Sequence, residues 1–329
     1  MRLAIVGATG LVGRAMLEVL SERDFPVNEL ILVASKKSKG EKIVYKGKEK
    51  TIITLPELIN KNVDTALFSA GSEISKEWAP KLIKKGCRVV DNSSFWRMDN
   101  RYKLIVPEVN SSIITKKDFL IANPNCSTIP LVMVLHALHK KFQVSRVIVS
   151  TYQSVTGTGK KGIDQLNNEE KNIQKNEKAY PHSIYRNIIP HCDAFNEDGY
   201  TKEEMKLTNE TKKILDKNIE VTATAVRVPV IGGHSESVNI TFKKSIKLSL
   251  IYKLLRSYKG IVVQDEVLKN NYPMPVFAKN KDEVFVGRIR KDFSLEKTIN
   301  LWICSDNLRK GAATNAIQIV EHLVKNKFV

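Results

Sequence analysis

The chain has 329 residues, with 53 Lys and Arg against 35 Asp and Glu and a formal net charge of +18. That length is long for a single core and favours two domains, and no apolar run approaches the roughly 20 residues a membrane helix needs. The basic residues are dispersed as pairs (Lys36-Lys37, Lys84-Lys85, Lys116-Lys117, Lys160-Lys161, Lys243-Lys244) without a recognisable nucleic-acid module, so the excess charge reads as a solvated surface that can draw in anionic substrates.

The first element is an apolar strand, Arg2 to Val6, followed by Gly7-Ala-Thr-Gly10-Leu-Val-Gly13 and an amphipathic helix to about Arg23. Strand, glycine turn and helix in that order place backbone N–H groups at a helix N-terminus, where a dinucleotide pyrophosphate binds. A second strand, Leu30 to Ala34, ends in Ser35-Lys36-Lys37-Ser38-Lys39-Gly40. An NAD site calls for an acidic residue there, to accept from the ribose 2′-OH. Lysines and hydroxyls instead suit a 2′-phosphate, so NADP is expected over NAD. Val63 to Ser69 reads as a strand turning through Ala70-Gly71-Ser72 into a helix at Glu77 to Lys85, and Cys87 to Val90 as another strand. The loop after it, Asp91 to Asp99, carries Arg97, which can clamp an anion or simply face solvent. Leu104 to Val106 and Phe119 to Ala122 complete a parallel sheet with ligands at its C-terminal edge.

The stretch Ile121-Ala-Asn-Pro-Asn-Cys-Ser-Thr-Ile-Pro130 is where chemistry is expected. Three turn formers precede Cys126, and an apolar run, Ile129 to Leu138, follows as a helix. Ser127 or Thr128 can cap that helix, and Pro130 suits its first turn. Cys126 then lies at a helix N-terminus, whose dipole favours a thiolate and whose N–H groups can hold an oxyanion. A buried structural cysteine is the alternative.

Beyond this helix, Val144 to Gln153 reads as a strand, residues 160–218 are polar with a helix near Glu203 to Leu215, and Ile219 to Val230 alternates like a strand. Ile231-Gly-Gly-His234-Ser-Glu236 forms a turn that would expose an imidazole, and a strand at Ser237 to Phe242 follows. Long, antiparallel-looking strands with interposed helices indicate an α+β second domain. The tail from Asp306 to His322 reads as an amphipathic helix packing back on the first domain. His136 and His139 stand three apart on a helix without a third ligand, so no metal site is expected. The cysteines at 87, 126, 192 and 304 show no paired spacing and fit a reducing compartment. With a strand starting at Arg2 and no signal peptide in view, the expected location is cytoplasmic.

Taken together, six blocks resemble the bacterial aspartate-β-semialdehyde dehydrogenases nearly end to end. They are Gly7–Gly13, Asp91–Asp99, Asn123–Thr128, Tyr152–Gly157, Arg227–Glu236 and Asp306–Ala313. The resemblance implies an α/β chain with a Rossmann-like NADP-binding domain at 1–127 and an α+β catalytic and dimerisation domain at 128–307. Residues 308–329 would form a C-terminal helix returning to the first domain. It implies reversible, phosphate-dependent reduction of L-4-aspartyl phosphate to L-aspartate 4-semialdehyde through a cysteine thioester, in lysine, threonine and methionine biosynthesis. Cys126 would be the nucleophile, His234 the acid–base group and Gln153 an orienting residue. Arg227 would grip the substrate carboxylate, Glu203 its ammonium, and Arg97 and Lys206 phosphate, with Asn125 beside them. Gly7, Thr9, Gly10, Leu11, Val12, Ser35, Lys37, Ser38, Thr156, Gly157 and Asn307 would meet NADP. The partners implied are the small substrate, inorganic phosphate and a second copy in a dimer or tetramer, with no membrane and no specific nucleic acid. The chain departs from the family pattern at Phe95-Trp96, at Thr156 in place of Ser and at Lys37 in place of Arg. The rival readings are an N-acetyl-γ-glutamyl-phosphate reductase, which has no substrate ammonium to bind, and a basic nucleic-acid-binding protein on the same scaffold.

Overall fold

A computed structural model describes residues 1–329. The chain divides into two compact units, one of Met1–Asn125 with Ala312–Val329, the other of Cys126–Gly311. These divisions fall close to, but not at, the expected 127/128 and 307/308.

The first unit runs β1 (Arg2–Val6), α1 (Leu11–Glu22), β2 (Glu29–Val33), β3 (Lys42–Tyr45), β4 (Lys48–Ile53), α2 (Leu55–Leu58), β5 (Thr65–Phe68), α3 (Ser72–Ile83), β6 (Arg88–Asp91), β7 (Lys103–Leu104), α4 (Pro107–Asn110) and β8 (Leu120–Ala122). The strand order is β3-β4-β2-β1-β5-β6-β8-β7, parallel throughout except for the antiparallel β3–β4 pair. Strands β5 and β6 are buried at every position, as a parallel sheet covered on both faces requires. β1 is flanked by β2 on one side and β5 on the other, so connections diverge at its C-terminal end, where α/β sheets open a ligand crevice. Gly7 stands at that point. Helix α3 starts at Ser72, earlier than the expected Glu77, because its first turn is polar and shows no apolar stripe; it also accommodates Pro80.

The second unit runs α5 (Thr128–Phe142), β9 (Val144–Gln153), α6 (Lys160–Glu170), α7 (Lys202–Ile214), β10 (Glu220–Arg227), β11 (His234–Phe242), α8 (Leu248–Ser257), β12 (Ile261–Val263), α9 (Pro275–Ala278), β13 (Val284–Lys291) and β14 (Thr298–Ser305). Its sheet has the order β10-β9-β11-β14-β13-β12. The β9–β11, β11–β14 and β13–β14 pairs are antiparallel. β10 lies parallel to β9 and β12 parallel to β13, so the sheet is mixed where its strands looked antiparallel in the sequence. The reason is connectivity: α6 and α7 intervene between β9 and β10, and a helical crossover returns the chain in the same direction. Val147, Val149, Val238, Ile240, Leu301 and Ile303 are buried, and α5, apolar almost all round, packs on β9 and β14.

A π-helical turn, Arg309–Ala313, leads into α10 (Thr314–Lys325). Helix α10 belongs to the first unit and packs on α1, α4 and β6. No helix is long and apolar enough to cross a membrane.

Candidate active site

Cys126 is the first residue of the second unit, and α5 begins two residues later. Ser127 is the N-cap residue, but it has a helical backbone and makes no side-chain cap bond. The expected capping by Ser127 or Thr128 is therefore not what starts the helix; Pro130 in its first turn pre-sets the backbone instead. The thiol is half-buried, unlike the fully buried Cys87, Cys192 and Cys304, and burial pushes each of those three thiols up to about 12. They are inert at neutral pH. Gly311 lies close against Cys126: a Cβ there would stand 3.0 Å from the Cys126 Cβ and 3.1 Å from its carbonyl oxygen, so any side chain at 311 would push the two segments apart.

Gln153, Arg227 and His234 come from the ends of three adjacent strands. Arg227 is the last residue of β10 and lies in register with Gln153, the last of β9. Ser235 pairs with Tyr152, so His234 enters β11 at the same end of the sheet. The Gln153 amide donates to Ser127 Oγ at 3.3 Å, to Thr151 Oγ1 at 3.2 Å and to Glu203 Oε1 at 3.1 Å. Gln153 thereby links the residue beside Cys126 to helix α7. On that helix Glu203 Oε2 accepts from Lys206 Nζ at 3.1 Å, and the same ammonium donates to Asp193 Oδ2 at 2.7 Å.

His234 is 2% exposed, not displayed on an open turn as its glycine neighbours suggested. Those glycines do make the turn, at φ +86° and +80°. The turn is covered, however: a Cβ on Gly233 would lie 3.0 Å from Pro275 Cα, at the start of α9. The ring is fixed through Nδ1, which accepts the Ser154 N–H at 3.1 Å. Burial, with the Arg227 guanidinium as a lesser cause, pushes the imidazole down to about 3; Glu203 and a hydrogen bond with the Gly233 backbone favour its protonated form. Nε2 is buried and has no protein partner, as is Arg227 Nε. Arg227 is held by one bond, Nη1 to the Ser154 carbonyl at 2.7 Å. Both side chains border the space left by the missing side chain of Gly157. A Cβ there would stand 2.7 Å from Arg227 Nη1 and 3.3 Å from His234 Nε2. Buried polar atoms left without partners around such a gap mark where a polar ligand or water belongs.

Below the ring, Thr156 Oγ1 donates to Asn307 Oδ1 at 2.9 Å and contacts Ser154 Oγ at 2.5 Å. His136 and His139 serve packing: His136 Nδ1 meets the Tyr258 hydroxyl at 2.6 Å, and His139 approaches Asp216 at 3.7 Å.

In the first unit the glycine turn has the tightness a dinucleotide loop needs. Gly7, at φ +93°, would place a Cβ 2.3 Å from the Ser69 carbonyl oxygen, and Gly13 would place one 2.2 Å from the Gly7 carbonyl oxygen. α1 starts at Leu11 without a side-chain cap, which leaves its first N–H groups for an anion. Thr9 and Gly10 are exposed, and Leu11 and Val12 half-buried. Ser35 and Lys37 are exposed and Ser38 half-buried, around a short turn after β2. Arg97 is buried at 7% exposure, which sets aside a plain surface arginine, and its Nη2 donates to the Asn92 carbonyl at 2.9 Å. Asn125 is buried as well.

Four contributors escaped sequence reasoning. Gly311 and Ser154 act through backbone approach and a backbone N–H, which leave no side-chain signature. Asp193 is thirteen residues from Lys206 with a strand-like loop between, so no helical spacing announces the pair. Glu236, two residues after His234 and 1% exposed, has both carboxyl oxygens buried without a partner. Burial raises its pKa well above the usual carboxylate value. Its position beside His234 on one strand, facing the same side, could have flagged it.

Residues 135–310 match the family model described as semialdehyde dehydrogenase, dimerisation domain, and residues 2–117 the one described as semialdehyde dehydrogenase, NAD binding domain. The aspartate-semialdehyde dehydrogenase of Aquifex aeolicus is 52% identical, covering 100% of this chain and 99% of that protein. The Legionella pneumophila enzyme is 46% identical over 98% of this chain and 95% of its own length. The crystal structure of aspartate semialdehyde dehydrogenase II from Vibrio cholerae matches with a TM-score of 0.94 at 42% identity, over 99% of this chain and 98% of that one. The structure of the same enzyme complexed with ASA matches equally well. With both family models matched in order and full-length relatives at this identity, the chain belongs to the aspartate-semialdehyde dehydrogenases.

Proposed function

We propose that this enzyme runs its reaction through a thioester on Cys126, with NADP as the nicotinamide cofactor and inorganic phosphate as leaving group. The observation that carries the reading is the convergence of Gln153, Arg227 and His234 from three neighbouring strand ends, with Gln153 hydrogen-bonded to the residue beside Cys126. In the biosynthetic direction the Cys126 sulfur adds to the acyl carbon of L-4-aspartyl phosphate. The C–O bond to phosphate breaks and phosphate departs, leaving a thioester, which divides one hard step into two. NADPH, when bound, supplies the hydride that reduces this thioester. Hydride addition leaves an oxyanion on the acyl carbon; it re-forms the C=O as the C–S bond breaks, so the Cys126 thiolate departs and L-aspartate 4-semialdehyde is released. His234 takes the thiol proton as sulfur attacks and returns it as sulfur leaves, with the Gly233 backbone supporting the protonated ring.

Arg227, whose Nη1 borders the gap beside Gly157 and whose Nε is buried without a partner, suits the substrate carboxylate. Glu203 suits the substrate ammonium, and Lys206 and Arg97 supply the cations for phosphate, with Asn125 as a further polar contact. The tight Gly7 turn and the uncapped start of α1 suit the dinucleotide, through Thr9 to Val12. Ser35, Lys37 and Ser38, with no acidic residue among them, suit a 2′-phosphate. Thr156, Gly157 and Asn307 complete the cofactor contacts by the family pattern. The dimerisation-domain match supports assembly as a homo-oligomer through the second unit. A biosynthetic role and four unpaired cysteines support a cytoplasmic location.

The test is phosphate-dependent reduction of NADP with L-aspartate 4-semialdehyde. The wild-type chain is expected to turn over only when phosphate is present, and Cys126→Ala to lose turnover entirely. Phosphate-independent turnover, or an active Ala variant, would overturn the thioester route.

A further inference from the structure

The proposed phosphate role of Lys206 meets an obstacle in the structure: its ammonium is already occupied. Nζ donates to Asp193 Oδ2 at 2.7 Å and to Glu203 Oε2 at 3.1 Å, so two carboxylates flank one cation. The three side chains carry a net charge of −1, the wrong sign for drawing in a phosphate dianion. Glu203 has other work, since its second oxygen accepts from Gln153. Asp193 has only two side-chain tasks in view. Oδ1 accepts the N–H of the next residue, Ala194, at 2.8 Å, and Oδ2 accepts from Lys206. Its side chain is 39% exposed, so it can swing into water without leaving a buried charge behind. Its backbone is also held in the left-handed region, at φ +69°, the conformation least comfortable for a residue other than Gly, Asn or Asp.

From this geometry we propose that Asp193 occupies the phosphate-binding donor of Lys206 in the resting enzyme and must yield it when inorganic phosphate binds, so that Asp193 sets the affinity for phosphate. The carboxylate is a stand-in anion: it makes the charge-assisted bond that a phosphate oxygen would make. Asp193 is a positioning residue in this scheme. Holding the Lys206 ammonium between Asp193 and Glu203 keeps it in place while phosphate is absent, at the cost of competition when it arrives. The inference rests on the assignment of Lys206 to phosphate and is tested so that the two can fail separately.

Asn is the informative replacement. It tolerates the left-handed backbone and can keep the bond from Ala194 through Oδ1. It then turns an amide, a donor, toward the ammonium. Asp193→Asn is expected to lower the KM for inorganic phosphate about five- to tenfold in the semialdehyde-oxidising direction, and to enlarge the rise in Tm produced by inorganic phosphate alone. Lys206→Gln is expected to raise the same KM, and adding Asp193→Asn to Lys206→Gln to change it no further. A purely structural Asp193 would instead lower kcat or Tm and leave the phosphate KM in place. If Lys206→Gln raises the phosphate KM but Asp193→Asn leaves it unchanged or raises it, the competition is refuted and the role of Lys206 stands. If Lys206→Gln leaves the phosphate KM unchanged, the assignment of Lys206 falls and the inference with it.

Discussion

At the scale of single residues, burial decides which groups can do chemistry and which only bear on stability. His234 and Glu236 sit two apart on β11, both almost fully buried, and burial moves them in opposite directions because it disfavours whichever form is charged. Both are therefore neutral in the folded chain. The consequences for stability have opposite signs. Below the usual histidine value of 6.5, an unfolded chain protonates His234 while the folded one resists down to about 3. Stability on that account is full above 6.5 and lost as the pH falls. Glu236 acts the other way: above 4.5 the unfolded chain releases a proton that the folded chain retains. Its contribution is full below 4.5 and lost as the pH rises, by up to about 1.4 kcal/mol per pH unit. Glu236→Gln should remove that second slope. Urea midpoints of wild type and variant are expected to converge near pH 5 and to separate by pH 8 in favour of Gln. A variant that is the less stable of the two at pH 8 would mean the carboxyl is ionised and held by a partner. The sequence singled out Cys126 and His234 as candidates but did not carry their exposure. What covers the turn is Lys279 over Gly232 and Pro275 over Gly233, both more than 40 residues downstream and silent in any local pattern.

At the scale of elements, α7 shows how local chemistry positions distant function. Its start is a capping box: Thr201 Oγ1 accepts the Glu204 N–H at 3.2 Å, and Glu204 Oε2 accepts the Thr201 N–H at 2.6 Å. Glu204 Oε1 also accepts the Ala225 N–H at 2.8 Å, which ties the helix to β10. The reciprocal bonds fix the helix phase, and the phase aims Glu203 at Gln153 and Lys206 at Asp193. Thr201→Ala should cost about 1 kcal/mol of stability in a denaturant melt. No loss would mean that Glu204 alone holds the helix start. The Thr-x-x-Glu signature was legible at 201–204 and would have started the helix at Lys202 instead of near Glu203. The strand after it was legible too, but not its direction. Alternation gives a strand and says nothing about its neighbour; the helices between Gln153 and Glu220 are what force a parallel return. For α3 the fault was different, since a polar first turn offers no periodicity to read.

At the scale of the whole molecule, the first unit is assembled from two separated stretches of chain. Asn315 donates to Asn123 Oδ1 at 2.7 Å and to the Ile105 carbonyl at 3.0 Å, and Gln318 donates to Glu108 at 3.0 Å. Arg23 pairs with Glu321 at 2.7 Å. Arg88, buried on β6, donates to the carbonyls of Lys116, Asp118 and Phe328, each at 2.7 Å. Without the Phe328 segment the Nε of this buried arginine loses its acceptor, and the first unit loses the contacts of α10 with it. A chain ending at Gly311 should therefore keep a protease-resistant core in residues 126–311 and lose it in 1–125, with a peptide of residues 312–329 restoring protection in trans. Resistance of the 1–125 region without that peptide would show the unit complete by itself. The tail's amphipathic pattern was readable from Asp306 onward, and so was its return to the first domain. The π-helical turn at Arg309–Ala313 was not, because its spacing has no common sequence rule.

This interleaving also orders events during synthesis. Every residue of the contiguous second unit is translated before the helix that closes the first. The nascent chain must keep the apolar strands β5 and β6 from aggregating until its final segment emerges. Nucleotide binding thus waits on residues 312–329, although the loop responsible for it is translated some three hundred residues earlier.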